Sequence, residues 1–431
     1  MSFPRTLVAC LSAVLLAAPL AAQGGEPPLG AALGPLLAYA REHNPQLAAS
    51  RFEREAAQEA VKPAGALPDP SFQLELMDFT NAEYNAGREA DAPRRSTSLL
   101  PGEVGTSRYR LVQPIPFWGK RGLRREVASA QAEQGRASEQ AALVEVEAVI
   151  KSAFARHYQA TGQARILRET LALVTALERI VLTRYGVGLV PQQDAIQIQS
   201  EMTSLKVELL EAGRLRRNAV AGLNAALSRP ADAPLAEPEA LPPVPAGLGL
   251  ATLRDRLEGR SPELARERAG ITAAEKERLL ARRNRLPDFA LGLTDNRPRD
   301  GVETLDLMVE VEIPLQQGAR IAQVRQAERM LDAARAKTEA AQARIEGRLG
   351  ESWAAFESAR EKAGMLRATL LPQAEAGYRA AQAGYEAGRV NFNTLIEAER
   401  QKLRARLTLL EADVEMRLRV AELEQLVGAA L

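Results

Sequence analysis

Apolar and polar positions follow two rhythms along this chain, and both occur twice in the same order. A helical spacing runs from about Leu33 to Val61 through Leu36, Leu37, Ala40, Leu47, Ala48 and Phe52, with a break at Asn44-Pro45. Pro63 and Pro68-Asp69-Pro70 end it. Phe72 to Met77 then alternates apolar and polar, which predicts a strand. A polar stretch from Thr80 to Gly105 reads as a loop. A second strand is predicted over Arg108–Ile115, with Tyr109 and Leu111 on one face and Arg108 and Arg110 on the other. From Lys120 the helical spacing continues without a proline to Tyr185, marked by Leu167, Leu171, Val174, Leu177 and Val181. At 1.5 Å per residue, roughly 65 residues make a rod of about 100 Å. A returning helix is predicted from Asp194 to Leu227. Arg229 to Leu250 holds six prolines and almost no period, the pattern of an extended linker.

The second half repeats this order. Ser261-Pro262-Glu263-Leu264 matches Asn44-Pro45-Gln46-Leu47, and Leu286-Pro287-Asp288-Phe289 matches Leu67-Pro68-Asp69-Pro70. Strands are predicted at Phe289–Thr294 and Thr304–Ile313, joined by a loop over Asp295–Gly301. Ile313-Pro314 matches Ile115-Pro116, and Gly318 matches Gly119 with one inserted residue. A second long helix runs from Ala319 to Tyr385 with a kink expected at Pro372, and a returning helix runs from Thr394 to about Val427. Between the long helices stand two similar segments, Tyr185-Gly186-Val187-Gly188-Leu189-Val190-Pro191 and Tyr385-Glu386-Ala387-Gly388-Arg389-Val390-Asn391, which lie 200 positions apart. Glycine and proline inside such a pattern predict tight reversals between helices. The chain thus divides into a leader over 1–22, a first repeat over 23–228, a linker over 229–250 and a second repeat over 251–431.

Composition narrows the class. Charged residues make up 26% and aromatics only 4%, which suits long helices rather than a packed α/β enzyme. Net charge is +1, so no global basic field points to nucleic acid. Arginine clusters such as Arg214, Arg216, Arg217 or Arg282, Arg283, Arg285 read as solvated helix faces, and the acidic residues as their partners at helical spacing. Arg5, the apolar run Leu7–Leu20 and Ala21-Ala22 read as a secretory signal, with cleavage expected before Gln23. Cys10, the only cysteine, lies inside that apolar run and too close to Arg5 for a lipid anchor. The mature chain would then hold no disulfide and no thiolate metal site. No other stretch can span a bilayer as a helix, so a membrane crossing would have to use strands.

The strands have the length of tilted transmembrane strands. Four in one chain cannot close a barrel, whereas a trimer supplies twelve. On this reading Leu305, Leu307, Val309 and Val311 face lipid, and Asp306, Glu310 and Glu312 face a watery lumen, because a carboxylate on the lipid face costs a few kcal/mol. A soluble β-layer packed on helix ends fits the same alternation and stays open at this point. No catalytic constellation stands out. The two histidines are His43 and His157, and His157 reads as packed or solvated rather than metal-ligating. No phosphate loop, HExxH or paired cysteine is present, and neither an enzyme nor a cofactor is expected.

These residues carry a resemblance. Asn44-Pro45-Gln46-Leu47, the Pro-Asp strand entries, Arg184–Asp194 at the first reversal and Gly384–Gly388 with Leu395–Arg400 at the second resemble the TolC-like outer-membrane efflux proteins over nearly the whole mature chain. The wording Gln192-Gln193-Asp194 is most similar to the heavy-metal (CzcC-like) branch. The resemblance implies a mainly α fold with a membrane β-barrel portion. Four transmembrane strands per chain would form a twelve-stranded barrel in a homotrimer, above a long α-helical coiled-coil barrel through the periplasm. It implies a passive exit duct for heavy-metal cations, embedded in outer-membrane lipid. The duct would meet a periplasmic adaptor protein and, through it, an inner-membrane RND-type pump. The tip residues so implicated are Tyr185, Gly188, Leu189, Asp194, Tyr385, Gly388, Val390 and Glu397. Asp194 and Glu397 match acidic positions at the family's constriction, while Thr394 stands where many members have an acid. Three copies of each carboxylate would repel one another and attract cations, and Asp194 equally suits a helix N-cap. A drug-efflux or type I secretion channel shares the fold. A periplasmic adaptor fits less well, because it needs one hairpin and a split β-rich module.

Overall fold

The computed structural model describes residues 29–77, 80–81, 96–97, 99–101, 104–117, 119–245, 247–299 and 301–431. The expected leader and most of the polar stretch 80–105 lie outside them.

Helix α1 (Leu33–His43) ends where Asn44 takes over as N-cap of α2 (Pro45–Glu59), its side chain accepting from the backbone of Gln46 and Leu47. A proline at the first helical position completes this start. After a single turn, α3 (Val61–Ala64), come strands β1 (Ser71–Met77), β2 (Thr80–Asn81), β3 (Ser96–Thr97) and β4 (Thr106–Ile115). Helix α4 (Lys120–Gly186) runs 67 residues unbroken and returns as α5 (Gln192–Ala226). The second half gives α6 (Leu250–Arg260), α7 (Pro262–Arg283), β5 (Asp288–Pro298), β6 (Thr304–Glu312), α8 (Gln317–Met365), α9 (Leu371–Glu386) and α10 (Phe392–Val427). Strand β5 continues through Asp295 to Pro298, which the sequence pattern places in a loop. Antiparallel pairing with Thr106–Ile115 along its whole length recruits these polar residues.

The predicted kink is a π-helical stretch, Leu366–Leu370, placed just before Pro372 rather than at it. Its cause is countable. The buried residues Val146, Ile150, Phe154 and Leu167 have counterparts Ile345, Leu349, Trp353 and Leu366, each 199 positions on. Beyond that point Val181 matches Ala381 and Tyr185 matches Tyr385, each 200 positions on. The second long helix therefore contains one extra residue. A π-bulge absorbs such an insertion while keeping the faces on either side in phase.

The core is distributed along the rod. One cluster packs α1 residues Leu36 and Ala40 on Val146, Ile150, Phe154, Leu223 and Leu227. Its counterpart packs Leu253 and Leu257 on Ile345, Leu349, Trp353, Phe356 and Val427. The linker is extended as expected, but it is a strap rather than a free tether. The backbone of Ala236 and Glu239 donates to the carbonyls of Leu29 and Ala31, while Leu235 and Leu241 pack on the first core cluster. His157 is buried beneath the strap, with Nε2 3.2 Å from the Ala236 carbonyl. Ion pairs also depart from expectation. Only eight of the 25 seen among the described residues have i,i+3 or i,i+4 spacing; many others join different helices, such as Arg406–Glu169, Arg41–Glu147 and Arg344–Glu263.

Strands β1, β4, β5 and β6 form one antiparallel sheet in that order. Cross-strand register aligns Phe72, Leu111, Leu293 and Leu307 in one row. That face also carries Leu74, Leu291, Leu305, Val309 and Val311, all exposed. The opposite face aligns Gln73, Arg110, Thr294 and Asp306. At the foot of the sheet the Lys120 ammonium, 2% exposed, donates to the Leu286 carbonyl (2.7 Å) and to Asp288 (2.8 Å). It thereby ties the first turn of α4 to the entry of β5.

Candidate functional site

The two reversals are built alike. At the first, Gly188 adopts φ +74°, its N–H donates to the Tyr185 carbonyl (2.9 Å), and Leu189 donates to Arg184 (2.9 Å). At the second, Gly388 adopts φ +70°, its N–H donates to Tyr385 (3.1 Å), and Arg389 donates to Gly384 (2.8 Å). Both are left-handed helix closures that satisfy the last carbonyls and favour glycine.

Their surroundings differ. The first tip is apolar and open: Leu189 is 75% exposed and Val187 67%. The second is packed: Phe392 is 1% exposed and meets Tyr385 edge-on at 5.6 Å between ring centroids. The equivalent tyrosines part company, Tyr185 being 43% exposed and Tyr385 only 6%. Val390 packs on the tip core, and a Cβ at Gly384 would approach its methyls to 3.1 Å. In the first tip the same position is Arg184. Its guanidinium crosses to the second tip, donating to the carbonyls of Tyr385 and Glu386 (3.3 Å each) and lying over the Tyr385 ring. The last carbonyls of α9 thus gain a cationic partner from the other hairpin.

Asp194 is not the N-cap. Pro191 holds that position, and Asp194 is the third residue of α5, with its backbone N–H donating to the Pro191 carbonyl (3.1 Å). In the first turn its charge still complements the helix dipole. Burial pushes its carboxyl above the usual range. Burial and then the Asp194 charge push the Tyr385 phenol up, against Arg184. At the second tip the cap is Asn391, whose side chain accepts from the N–H and hydroxyl of Thr394 (2.9 and 2.8 Å). Glu397 is exposed and paired with Arg404 at 2.7 Å.

Behind the tips, ion pairs link the hairpins, and Glu201 is the buried partner among them. Glu201 of α5 accepts from Arg400 of α10 at 2.5 Å, and Glu169 of α4 accepts from Arg406 at 2.7 Å. Glu399 is 3% exposed in the apolar stripe Phe392, Leu395, Ile396, Leu403 and pairs with Lys402 at 2.8 Å. Burial outweighs the Lys402 contact and holds its carboxyl above the usual range. The Lys402 ammonium sits 3.8 Å above the Tyr378 ring, and burial pushes the Tyr378 phenol up to about 12. Sequence reasoning missed Arg184, Glu201, Tyr378, Asn391 and Glu399. A signal existed for Glu399 alone, a carboxylate interrupting an apolar stripe at helical spacing.

The strand residues Asp306, Glu310 and Glu312 all lie on the polar sheet face, aligned with Thr294, Ala290 and Asp288. Asp306 accepts from Asn296 at 2.5 Å, and on the same face Arg108 reaches Asn296 (2.7 Å) and Glu75 (2.9 Å). Among the described residues, no group of three or more His, Cys, Asp or Glu is placed to hold a metal ion, and no helix is long and apolar enough to cross a membrane.

The profile of the family described as "Outer membrane efflux protein" matches residues 36–229 and 253–429. The cobalt-zinc-cadmium resistance protein CzcC of Cupriavidus metallidurans is 24% identical over 393 residues, 88% of this chain and 87% of that one. Among solved structures, the outer membrane protein VceC of Vibrio cholerae superposes with a TM-score of 0.74 at 18% identity, over 92% of this chain and 96% of that one. CusC, whose structures concern transmembrane channel formation, superposes with a TM-score of 0.75 at 16% identity, over 92% of each chain.

Proposed function

The chain belongs to the outer membrane efflux protein family, and from that premise we propose how this outer-membrane efflux channel is assembled and what it carries. Three copies close their four-stranded sheets into one twelve-stranded barrel, and their long helices form a tunnel through the periplasm. The observation that carries this is the open sheet. Among the described residues strands β1 and β6 each have one unpaired edge, and one face exposes a band of apolar residues from Phe289 and Val311 to Leu293 and Leu305, giving way to Asp295 and Arg297 at the far end. An open edge beside exposed leucines is satisfied by closure in lipid, not by water. On closure the apolar row faces lipid, and Asp306, Glu310 and Glu312 line the lumen.

The tips form the periplasmic entrance. Tyr185, Gly188 and Leu189 of the first tip meet an adaptor, which joins the channel to an inner-membrane pump. Tyr385, Gly388 and Val390 shape the packed second tip. Asp194 and Glu397 from three copies set the charge of the constriction. The channel is passive, and movement of the tips, biased by the adaptor, opens it. The cargo is divalent heavy-metal cations, a reading supported by the likeness to a cobalt-zinc-cadmium resistance protein and by carboxylates at both ends of the path.

Detergent-extracted protein is expected to run as a trimer in the outer-membrane fraction; a water-soluble monomer sinks the channel assembly. A deletion strain is expected to lose tolerance to cobalt, zinc or cadmium. Unchanged metal tolerance with raised drug sensitivity would transfer the cargo to organic compounds.

A further inference from the structure

All four long strands meet the helices at one end of the sheet, where β1 and β5 begin and β4 and β6 end. Residues 113–125, 278–287 and 313–327 cross this boundary. Together they carry ten Arg or Lys and no Asp or Glu, in a chain whose net charge is only +1. Some of these cations are tied down: Lys120 to Asp288, Arg121 to the Gly65 carbonyl, Arg282 to Glu328. Arg283 and Arg285 are exposed and have no ion pair or side-chain hydrogen bond among the described residues.

These two arginines border a pocket of about 500 Å³. Leu123, Leu279 and Leu286 supply its apolar surface, Arg282, Arg283 and Arg285 its polar rim, and no carboxylate lines it. Helix α7 turns Lys276 toward Glu126 of α4, and turns Arg282 toward Glu328 of α8. Leu279 and Arg283 follow Lys276 at three and seven residues, so they lie on the side of α7 that faces α4, exposed beyond the Lys276–Glu126 contact. Immediately beyond the pocket the apolar band of the sheet begins, with Phe289 beside Phe117, exposed Val311 and Ile313, and Leu315 at 86% exposure.

Unpaired arginines beside leucines, at the edge of a lipid-facing band, match a group that is phosphate at one end and hydrocarbon at the other. We propose that this pocket binds the headgroup of an anionic phospholipid in the periplasmic leaflet, whose acyl chains continue along the apolar sheet face. The proposal rests on the sheet being a membrane barrel. The arginine clusters that the sequence presents as solvated faces are, at this boundary, a collar around the channel. Each subunit carries one copy, so the trimer is held at a fixed height in the membrane.

Native mass spectrometry of the detergent-solubilised full chain tests this, with phosphatidylglycerol and phosphatidylcholine offered at equal concentration. The protein is expected to retain phosphatidylglycerol with roughly tenfold preference, and Arg283→Gln/Arg285→Gln to lose it. Arg283→Lys/Arg285→Lys keeps much of the preference. Arg165→Gln/Arg179→Gln, which removes equal charge from exposed positions on α4, leaves it intact. Equal retention of the two lipids, or an unchanged preference in the double glutamine variant, overturns the proposal. Displacement of the lipid by inorganic phosphate at similar concentration also overturns it, reassigning the pocket to free phosphate. Failure of the barrel reading shows separately, as a protein that stays in solution without detergent.

Discussion

Single side chains at this protein's packed seams show how far charge can be buried when a partner lies across the seam. Glu201 is nearly enclosed and depends on Arg400 of the other hairpin. Arg400→Ala should destabilise the tip region by about 1–3 kcal/mol, below the range for a fully buried pair because the arginine is half exposed. Glu201→Gln in the same background should recover part of that loss, read as the thermal midpoint of the four variants. His157 offers a pH test. Burial lowers its pKa below the ordinary 6.5, against the Ala236 carbonyl, with Arg216 lowering and Glu237 raising it further. A base whose folded pKa is depressed binds fewer protons when folded. Its neutral state therefore contributes stability above pH 6.5 that is lost as pH falls through 6.5 toward the folded value. The repeat equivalent of His157 is Phe356, buried in the matching core. His157→Phe should remove this share of the acid sensitivity, so between about pH 7 and pH 5 its melting temperature should fall less than that of the parent. Equal falls would place the acid sensitivity elsewhere.

At the scale of elements, the π-bulge explains how two halves of unequal length present level tips. One extra residue in a continuous α-helix would rotate everything beyond it by about 100°. In the second half that rotation is absorbed over Leu366–Leu370, and Tyr378, Ala381 and Tyr385 still point into the tip core. Deleting Ala368 should therefore convert the bulge to plain helix and leave assembly intact. Deleting Arg168, in the unbroken α4, should swing Val174 and Val181 out of the core and abolish the trimer. A gel comparison of the two deletions decides it; if both fail equally, the bulge is not the site of the insertion. The helix spans, the positions of the four long strands and the reversals were legible in the sequence because periodicity and Gly/Pro punctuation are local signals, whereas the extension of β5 through Pro298 was not, because it depends on pairing with β4. The π-bulge was legible only as Pro372, since the insertion becomes visible once buried positions of the two halves can be paired. The caps of the two tips do not correspond: Asn391 caps α10, whereas its repeat counterpart is Pro191, and Asp194, which suits an N-cap by residue type, lies three positions inside α5.

At the scale of the whole molecule, this chain has a long surface and thin cores, and its sheet is left open in one copy. Small buried clusters strung along a rod stabilise it locally, while the exposed leucines of the sheet have nothing in the same chain to cover them. Assembly in lipid is the natural completion. The trimer, metal-tolerance and lipid tests all read the proposed assembly rather than the single chain.

The sequence by itself determined the duplication, the alternation of the strands, the family and the positions of the reversals. All of these rest on spacing along one chain, where helical and strand periods are set by backbone geometry. Tertiary structure alone decided which of two matching residues is buried. Tyr185 and Tyr385 read alike, yet one is open and the other packed on Phe392. It also decided that the linker is a strap, that many ion pairs cross between helices, and that Arg184 clamps the opposite tip. Each of these joins residues far apart in sequence, often about 200 positions. Local period says which face a residue occupies, but what that face meets depends on how the rods are laid side by side.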